Sequence, residues 1–130
     1  MKRLIAASLF LATSALAGQY DQPYAIITVD RAKSADSHLR NVIVNRVDDQ
    51  TVISGNRAVV EPGKRKVTLD LPPRKGFRLA TQNTLEIDAK PCTRYNVAAR
   101  LDSPTTQEWV PVIRSEEPIG ECRARFKVAG

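Results

Sequence analysis

Residues 84–101 read TLEIDAKPCTRYNVAARL, and this stretch decides the fold class. Its first half places an apolar residue at every second position from Leu85 to Ala89, and its second half does the same from Tyr95 to Leu101. A period of two residues is typical of a β-strand that buries one face. The stretch therefore predicts two half-buried strands, separated by Pro91 and Cys92.

Strand patterns continue on both sides of this stretch. Apolar and polar residues alternate over residues 66–71 and again over residues 123–128, which predicts two further half-buried strands. Residues 25–29 and 42–47 are rich in β-branched residues on both faces, as expected of central strands covered on both sides. No segment has a clear helical period, and the best helical candidate, residues 31–39, is short and polar.

Turn-forming residues separate the strand patterns. They are Asp48-Asp49-Gln50, Ser54-Gly55-Asn56, Pro62-Gly63, Pro72-Pro73 and Asp102-Ser103-Pro104. About seven or eight short strands, with a turn roughly every 8–12 residues, predict an all-β fold. We expect a small antiparallel β-sandwich, with a small β-barrel as the alternative.

The N-terminus predicts export. Lys2 and Arg3 precede an apolar run over residues 4–17 that ends in the tripeptide ALA, which is the arrangement of a secretory signal peptide. The run is shorter than the roughly 20 apolar residues that a membrane-spanning helix needs. We therefore expect a signal peptide over residues 1–17, cleavage between Ala17 and Gly18, and no membrane span. A single domain over residues 18–130 would then lie in the periplasm or be secreted.

Cleavage also changes the charge and fixes the chemistry of the cysteines. The net charge falls from +6 to +4, because the signal peptide carries Lys2 and Arg3 and no acid. The remaining basic residues are spread among acids, whereas a nucleic-acid binder would concentrate them in a stripe with exposed aromatics, so we expect no nucleic-acid partner. Cys92 and Cys122 both remain, and an even count in an oxidising compartment predicts a disulfide bond between them.

Two segments resemble known exported domains. Residues 59–69, VVEPGKRKVTL, resemble the strand, Pro-Gly turn, strand hairpin of PEGA-type and related carboxypeptidase-regulatory-like domains. Residues 91–99, PCTRYNVAA, are similar to a block that begins a strand with an aromatic residue in many small exported bacterial domains. The resemblance implies an immunoglobulin-like or transthyretin-like sandwich used for surface attachment or assembly. It supplies no catalytic residues.

No catalytic or cofactor-binding sequence motif is present. His38 is the single histidine and lies in a polar segment, where it would need further partners to form a triad or a zinc site. Glu116, Glu117 and Glu121 are close in sequence to one another, but the intervening Pro118 indicates a turn whose acids are solvated. We therefore expect no enzyme activity, no cofactor and no metal.

Basic residues form two candidate interaction clusters, one at the Pro62-Gly63 turn and one in the loop that follows the next strand. The six cations are Lys64, Arg65, Lys66, Arg74, Lys75 and Arg78. If the loop folds near the hairpin tip, they converge at one end of the sandwich, where such folds commonly bind ligands. Charged residues also protect exposed strand edges, so the same pattern suits a structural role.

Trp109 is the best single marker of a contact surface. It shares one strand face with Pro111 and Ile113, while Val110 and Val112 share the other face. Trp109 is thus either a core anchor or an exposed aromatic at a binding patch. Pro111 cannot donate a ladder hydrogen bond, which predicts an edge strand or a bulge. An edge strand beside an exposed tryptophan would bind a partner by strand addition.

Together these features predict an exported binding or assembly module. Its partner would be an envelope protein, engaged through an edge strand or a loop end. The alternative is an inhibitor or binder of an envelope enzyme or of an acidic polymer, acting through the basic loops.

Overall fold

The computed structural model describes residues 20–29, 38–72, 81–102 and 108–128. The predicted signal peptide and most of the helical candidate at residues 31–39 lie outside these ranges. Within them the chain forms nine strands and one helix: β1 (Ala25–Thr28), β2 (Leu39–Arg40), β3 (Ile43–Val47), β4 (Gln50–Thr51), β5 (Arg57–Val60), β6 (Gly63–Leu71), β7 (Thr81–Ala89), β8 (Thr93–Arg100), β9 (Val110–Pro118) and α1 (Gly120–Phe126).

The strands form two sheets. The five-stranded sheet is built around β8, which pairs antiparallel with β9 along one edge. The other edge of β8 pairs in parallel with β1 and, further along, antiparallel with β2, while β5 pairs antiparallel with β1. The second sheet has four antiparallel strands in the order β4-β3-β6-β7. The chain is therefore an all-β sandwich with one disulfide bond, as predicted, although β1 and β8 pair in parallel where antiparallel pairing was expected throughout.

The core lies between the sheets and takes alternate residues from each strand. Val67 and Leu69 of β6 are fully buried, as the alternation over residues 66–71 predicts, but Thr68 on the opposite face is buried as well. Ile87 of β7 and Val97 of β8 face them and are almost fully buried as well. The sequence period thus located the core-facing residues of these strands correctly, because the side chains of a strand alternate between its faces.

Burial differs from prediction in β3 and β8. The alternation predicts that β8 buries one face, yet Asn96 and Ala98 on its other face are also buried. Both lie on the strand at the centre of the five-stranded sheet, which has neighbouring strands on both sides. Conversely, residues 42–47 predict a strand covered on both faces, but Ile43 and Arg46 of β3 are exposed because its outer face lies at the surface.

The Pro62-Gly63 turn joins the two sheets and does not close a hairpin. β5 pairs with β1 in the five-stranded sheet, whereas β6 pairs with β3 and β7 in the four-stranded sheet. Gly63 has a φ of 116°, a backbone conformation that residues with a Cβ rarely adopt, and this lets the chain change sheets abruptly. The predicted hairpin is therefore wrong.

Residues 120–126 form a helix, so the prediction of a final strand over residues 123–128 is wrong. Helix α1 lies across the outer face of the five-stranded sheet, where Cys122 and Phe126 pack against Tyr24 and Ile26. The disulfide bond from Cys122 to Cys92 fixes the helix to the β7–β8 turn. Two turns of helix contain too few residues for their period to be distinguished from strand alternation.

Side chains close one side of the sandwich. Trp109 is 8% exposed, and its Nε1 donates a hydrogen bond to Thr81 Oγ1 at the start of β7 (2.6 Å). The Tyr95 hydroxyl on β8 accepts from the Lys90 N–H (2.8 Å) and donates to the Asp88 carbonyl oxygen at the end of β7 (3.3 Å). The opposite side, between β5 and the β3–β4 turn, is open.

Candidate binding cleft

The open side of the sandwich holds a cleft of about 1070 Å³. One wall consists of β5 and the segment that precedes β1, and the other consists of the β3–β4 turn and the residues that follow β4. Val47, Ala58 and Val60 line the cleft and also belong to the buried core. A ligand in this cleft would therefore contact the edge of the hydrophobic core.

The hydrogen-bond pattern of β5 determines which backbone groups face the cleft. The Val29 N–H donates to the Asn56 carbonyl oxygen (3.0 Å), so these two residues form a hydrogen-bonded pair of the β1–β5 ladder. Because bonded and non-bonded pairs alternate along an antiparallel ladder, Ala58 and Val60 also bond to β1. Arg57 and Val59 therefore direct their N–H and carbonyl groups outward, along the cleft wall.

Side chains cap both ends of this outward edge. The Ser54 hydroxyl lies 3.4 Å from the backbone nitrogen of Arg57 and 3.3 Å from its carbonyl oxygen. At the other end, the Nε of Arg65 donates to the Glu61 carbonyl oxygen (2.9 Å). Within the described residues, Val59 is left as the one residue of this edge with both backbone groups unpaired. Such an edge can bond to one residue of an extended chain but cannot add a full-length strand.

Exposed apolar side chains stand at the mouth of the cleft. Ile53 is 99% exposed, and Tyr20 on the opposite wall is 40% exposed. The Tyr20 ring meets the ring of Tyr24 edge-on, with 5.1 Å between the ring centres. Val52 is half-buried and packs against the core. The two walls of the cleft thus both carry apolar side chains that a ligand could contact.

Arg65, one of the predicted interaction residues, is a structural residue beside the cleft. Its Nη1 lies 3.1 Å from Asp48 Oδ2, and its Nη2 donates to the Pro62 carbonyl oxygen (3.1 Å). Asp48 also accepts a hydrogen bond from the Lys66 N–H (3.0 Å). Two hydrogen bonds lower the pKa of Asp48 below its usual value: the one from the Lys66 N–H has the larger effect, and the one from the Arg65 side chain has the smaller effect. The charge of Arg65 is therefore already paired.

Lys64 and Lys66 lie on the outer face of the four-stranded sheet. The register of β6 and β7 places Lys64 opposite Asp88 and Lys66 opposite Glu86. Opposite charges on directly paired residues stabilise a sheet and compensate each other. These lysines therefore belong to a surface of mixed charge and do not form a basic patch.

The other predicted cations, Arg74, Lys75 and Arg78, lie outside the described residues. The strands that flank them are described: β6 ends at Leu71 and β7 begins at Thr81, at the opposite end of this hairpin from Lys64. The flanking strands therefore do not support the predicted convergence of all six cations at one end of the sandwich.

Trp109 is a core residue, so its interpretation as an exposed aromatic at a binding patch is wrong. The core-anchor alternative is confirmed by its burial and by its hydrogen bond to Thr81. β9 pairs with β8 alone among the described strands, and its register shifts by one residue between Ile113 and Ser115. The edge strand that Pro111 predicts is thus confirmed, while the bulge lies three residues away, at Arg114.

The free edge of β9 is poor in hydrogen-bond donors. Pro118 directs its backbone outward, because the next residue, Ile119, donates its N–H inward to the Cys92 carbonyl oxygen (2.9 Å). Pro111 also faces outward: the Leu101 N–H donates to the His38 carbonyl oxygen (2.8 Å), so Ala99, the partner of Pro111, also bonds toward β2 on the other side of β8. Proline has no N–H, so neither position can donate to an added strand. β9 is therefore a worse docking edge than β5.

The remaining candidate residues, His38 and the three glutamates, lie apart from the cleft. His38 Nδ1 lies 3.0 Å from the Leu101 carbonyl oxygen, and Glu117 pairs with Arg94 at 3.8 Å. Among the residues that the structure describes, no three acids, histidines or cysteines are placed to hold a metal ion. The described helix is too short to cross a membrane.

Sequence reasoning missed the cleft residues Ile53, Ser54 and Val59. Ile53 carried a usable signal, because it is a large apolar residue directly beside the Ser54-Gly55-Asn56 turn. No sequence feature indicated the free backbone of Val59, since this depends on which residues of β5 bond to β1.

Compared with known proteins, the chain matches no family model, no curated protein and no solved structure.

Proposed function

We propose that this protein is an exported binding module that holds a short extended segment of an envelope protein in the cleft beside β5. The observation that carries the proposal is the unpaired N–H and carbonyl of Val59 between capped neighbours, in a cleft that the exposed Ile53 also lines. A residue in an extended peptide offers the complementary acceptor and donor on one edge. The module acts by binding and not by catalysis.

Export is part of the proposal. The Cys92–Cys122 disulfide bond supports it, because such bonds persist in oxidising compartments outside the cytosol. The apolar run over residues 4–17 supports it as well. Mass spectrometry of the protein isolated from the periplasm or the medium is expected to give a chain that begins at Gly18. An intact N-terminus in the cytosolic fraction would contradict this part of the proposal.

Site-specific photo-cross-linking tests the cleft. A cross-linking residue replaces Ile53 at the cleft mouth in one variant and Val110 in a matched control. Val110 is also apolar and 61% exposed, but it lies on β9. In intact envelopes we expect one defined protein to cross-link to position 53 and not to position 110. Equal capture at both positions, or no capture at position 53, would contradict the proposal.

Binding of the purified captured protein then tests the backbone contact. Val59→Pro removes the outward N–H without removing a bond to β1, whereas Val59→Ala shortens the side chain and keeps the N–H. We expect Val59→Pro to weaken binding roughly ten-fold more than Val59→Ala, as for one buried hydrogen bond. Ile53→Ser is also expected to weaken binding, and Val110→Ser is not. Equal effects of the two Val59 substitutions would argue against peptide-backbone recognition.

A further inference from the structure

A second concavity, of about 590 Å³, lies on the outer face of the five-stranded sheet. Helix α1 covers the neighbouring part of this face, over Tyr24 and Ile26. The concavity begins where the helix cover ends, and Thr28 and Asn96 form part of its floor. It borders the proposed peptide cleft at Asn56 and Arg57, which line both, while its other lining residues do not line the cleft.

Strand register places two arginines on opposite sides of this concavity. Arg57 of β5 pairs with Thr28 of β1, so their side chains share the outer face of the sheet. Arg94 of β8 pairs with Ile26 of β1 and shares that face too. The two arginine Cα atoms are therefore about 12 Å apart, two strands across and two residues along. Side chains of this length can converge over β1.

The charge of these arginines is largely uncompensated. The guanidinium of Arg57 makes no hydrogen bond or ion pair within the described residues. Arg94 has one ionic neighbour, Glu117, at 3.8 Å, with side-chain exposures of 41% and 53%. Such an exposed and distant pair contributes little, because water screens it. Among the described residues of its lining, one acid therefore faces two guanidinium groups, which gives this part of the concavity a positive charge.

We propose that this concavity binds a small oxyanion, a phosphate or a carboxylate group, between Arg57 and Arg94. The planar guanidinium donates two parallel hydrogen bonds to either kind of oxyanion. The Thr28 hydroxyl already donates to the Asn56 carbonyl oxygen (3.2 Å), so the guanidinium groups, and not this hydroxyl, would supply the hydrogen bonds to the anion. Asn96 is 6% exposed, and its Nδ2 donates to Ser115 Oγ (2.6 Å), so this part of the floor is held in place.

Titration of the mature, oxidised protein tests the site. Inorganic phosphate and acetate are added in separate experiments at constant ionic strength, and binding is followed by NMR chemical shifts of the backbone amides. We expect saturable shifts at Thr28, Arg57 and Arg94 with at least one of the two anions. The anion that binds more tightly identifies whether the ligand class is phosphate or carboxylate. Shifts that do not saturate with either anion would overturn the proposal.

Matched substitutions separate a built site from general charge. Arg57→Gln and Arg94→Gln are each expected to weaken binding roughly ten-fold, whereas Lys64→Gln on the other sheet leaves it unchanged. Glu117→Gln is expected to tighten binding, because it removes the acid that competes for Arg94. Equal weakening by all three cation substitutions would show a non-specific charge effect and overturn the proposal.

The test is distinct from that of the peptide cleft. Arg57 lies on β5 and borders both features, but Arg94 lines the outer concavity alone. Arg94→Gln is therefore expected to weaken anion binding and to leave cross-linking at position 53 intact. Loss of both activities in a folded Arg94→Gln variant would contradict two separate sites.

Discussion

Arg65 and Asp48 show how a single residue acquires its role from the fold. Arg65 stands in a basic run with Lys64 and Lys66, yet its guanidinium bonds to Asp48, which belongs to another turn. Asp48 itself has a φ of 52° and directs its carboxylate to the Lys66 N–H. A basic run therefore contains one structural cation and two surface cations, and charge counting cannot distinguish them.

The carboxylate of Asp48 is expected to make stability depend on pH. Its folded-state pKa is lowered from 3.8, so its contribution is present above the unfolded pKa and is lost as the pH falls through the folded pKa. Asp48→Asn keeps an oxygen acceptor and tolerates a positive φ, so it removes mainly the charge. We expect this variant to be less stable than the wild type at pH 6 and to approach it at pH values below about 4.

Urea unfolding followed by the fluorescence of Trp109, the only tryptophan, measures this difference at each pH. Asp49→Asn is the control, because Asp49 is exposed and makes no ion pair within the described residues. Its difference from the wild type is expected to stay the same between pH 6 and pH 3. A constant difference for Asp48→Asn as well would contradict the role assigned to its charge.

At the scale of strands and helices, local pattern predicted the elements better than their partners. Alternation located the core-facing residues of β6 and β7, because a side-chain period of two residues is a property of the strand itself. The Pro62-Gly63 turn was wrongly predicted to close a hairpin, because turn-forming residues do not show whether the next strand pairs within the same sheet. Helix α1 was not predicted because it packs against Tyr24 and Ile26, and such a tertiary contact is not visible in the local sequence pattern.

The candidate cleft could not be predicted from the sequence either, because it depends on which strands pair and in which register. Whether Val59 or Ala58 directs its backbone into the cleft depends on the bonded pair between Val29 and Asn56. The capping of Arg57 by Ser54 depends on the turn that precedes β5. Both follow from register, which the sequence of β5 alone does not specify. Of the cleft residues, only Ile53 could have been recognised from the sequence, as a large apolar residue beside a turn.

The prolines of β9 are expected to keep this edge from pairing with other chains. Pro111→Val together with Pro118→Thr would restore two outward N–H donors on an edge strand with exposed apolar residues. We expect the double variant to associate at concentrations where the wild type does not, as measured by light scattering on size-exclusion fractions. Pro62→Ala, a proline outside β9, is the control. An unchanged molecular mass of the double variant would contradict this role.

At the scale of the whole molecule, the disulfide bond joins the turn between two strands to the element that covers the outer face. A domain of this size buries only about two-thirds of its unfolded surface, so a covalent link adds usefully to its stability. Cys92 and Cys122 are fully buried and separated by 30 residues in sequence. Closing a loop of this length is worth about 3–4 kcal/mol in the chain-entropy account.

The double substitution Cys92→Ala and Cys122→Ala is therefore expected to lower the free energy of unfolding by about 3–4 kcal/mol. Urea unfolding of the oxidised wild type and of the variant measures this difference. Hydrogen exchange gives a second readout, since the amides of α1 are expected to lose protection before those of β8. A variant with wild-type stability and a fully protected helix would contradict the structural role of the bond.

The parallel pairing of β1 with β8 has a kinetic consequence. Ile26 pairs with Arg94, so β1 can form this part of its sheet only after β8, which lies much later in the sequence, has been synthesised. Contacts this distant in sequence must overcome a large loop-closure entropy, and domains rich in them fold in milliseconds to seconds rather than microseconds. During synthesis the five-stranded sheet cannot assemble until β8 has left the ribosome. The core between the two sheets therefore closes only after most of the chain has been made, even though all four strands of the other sheet precede β8.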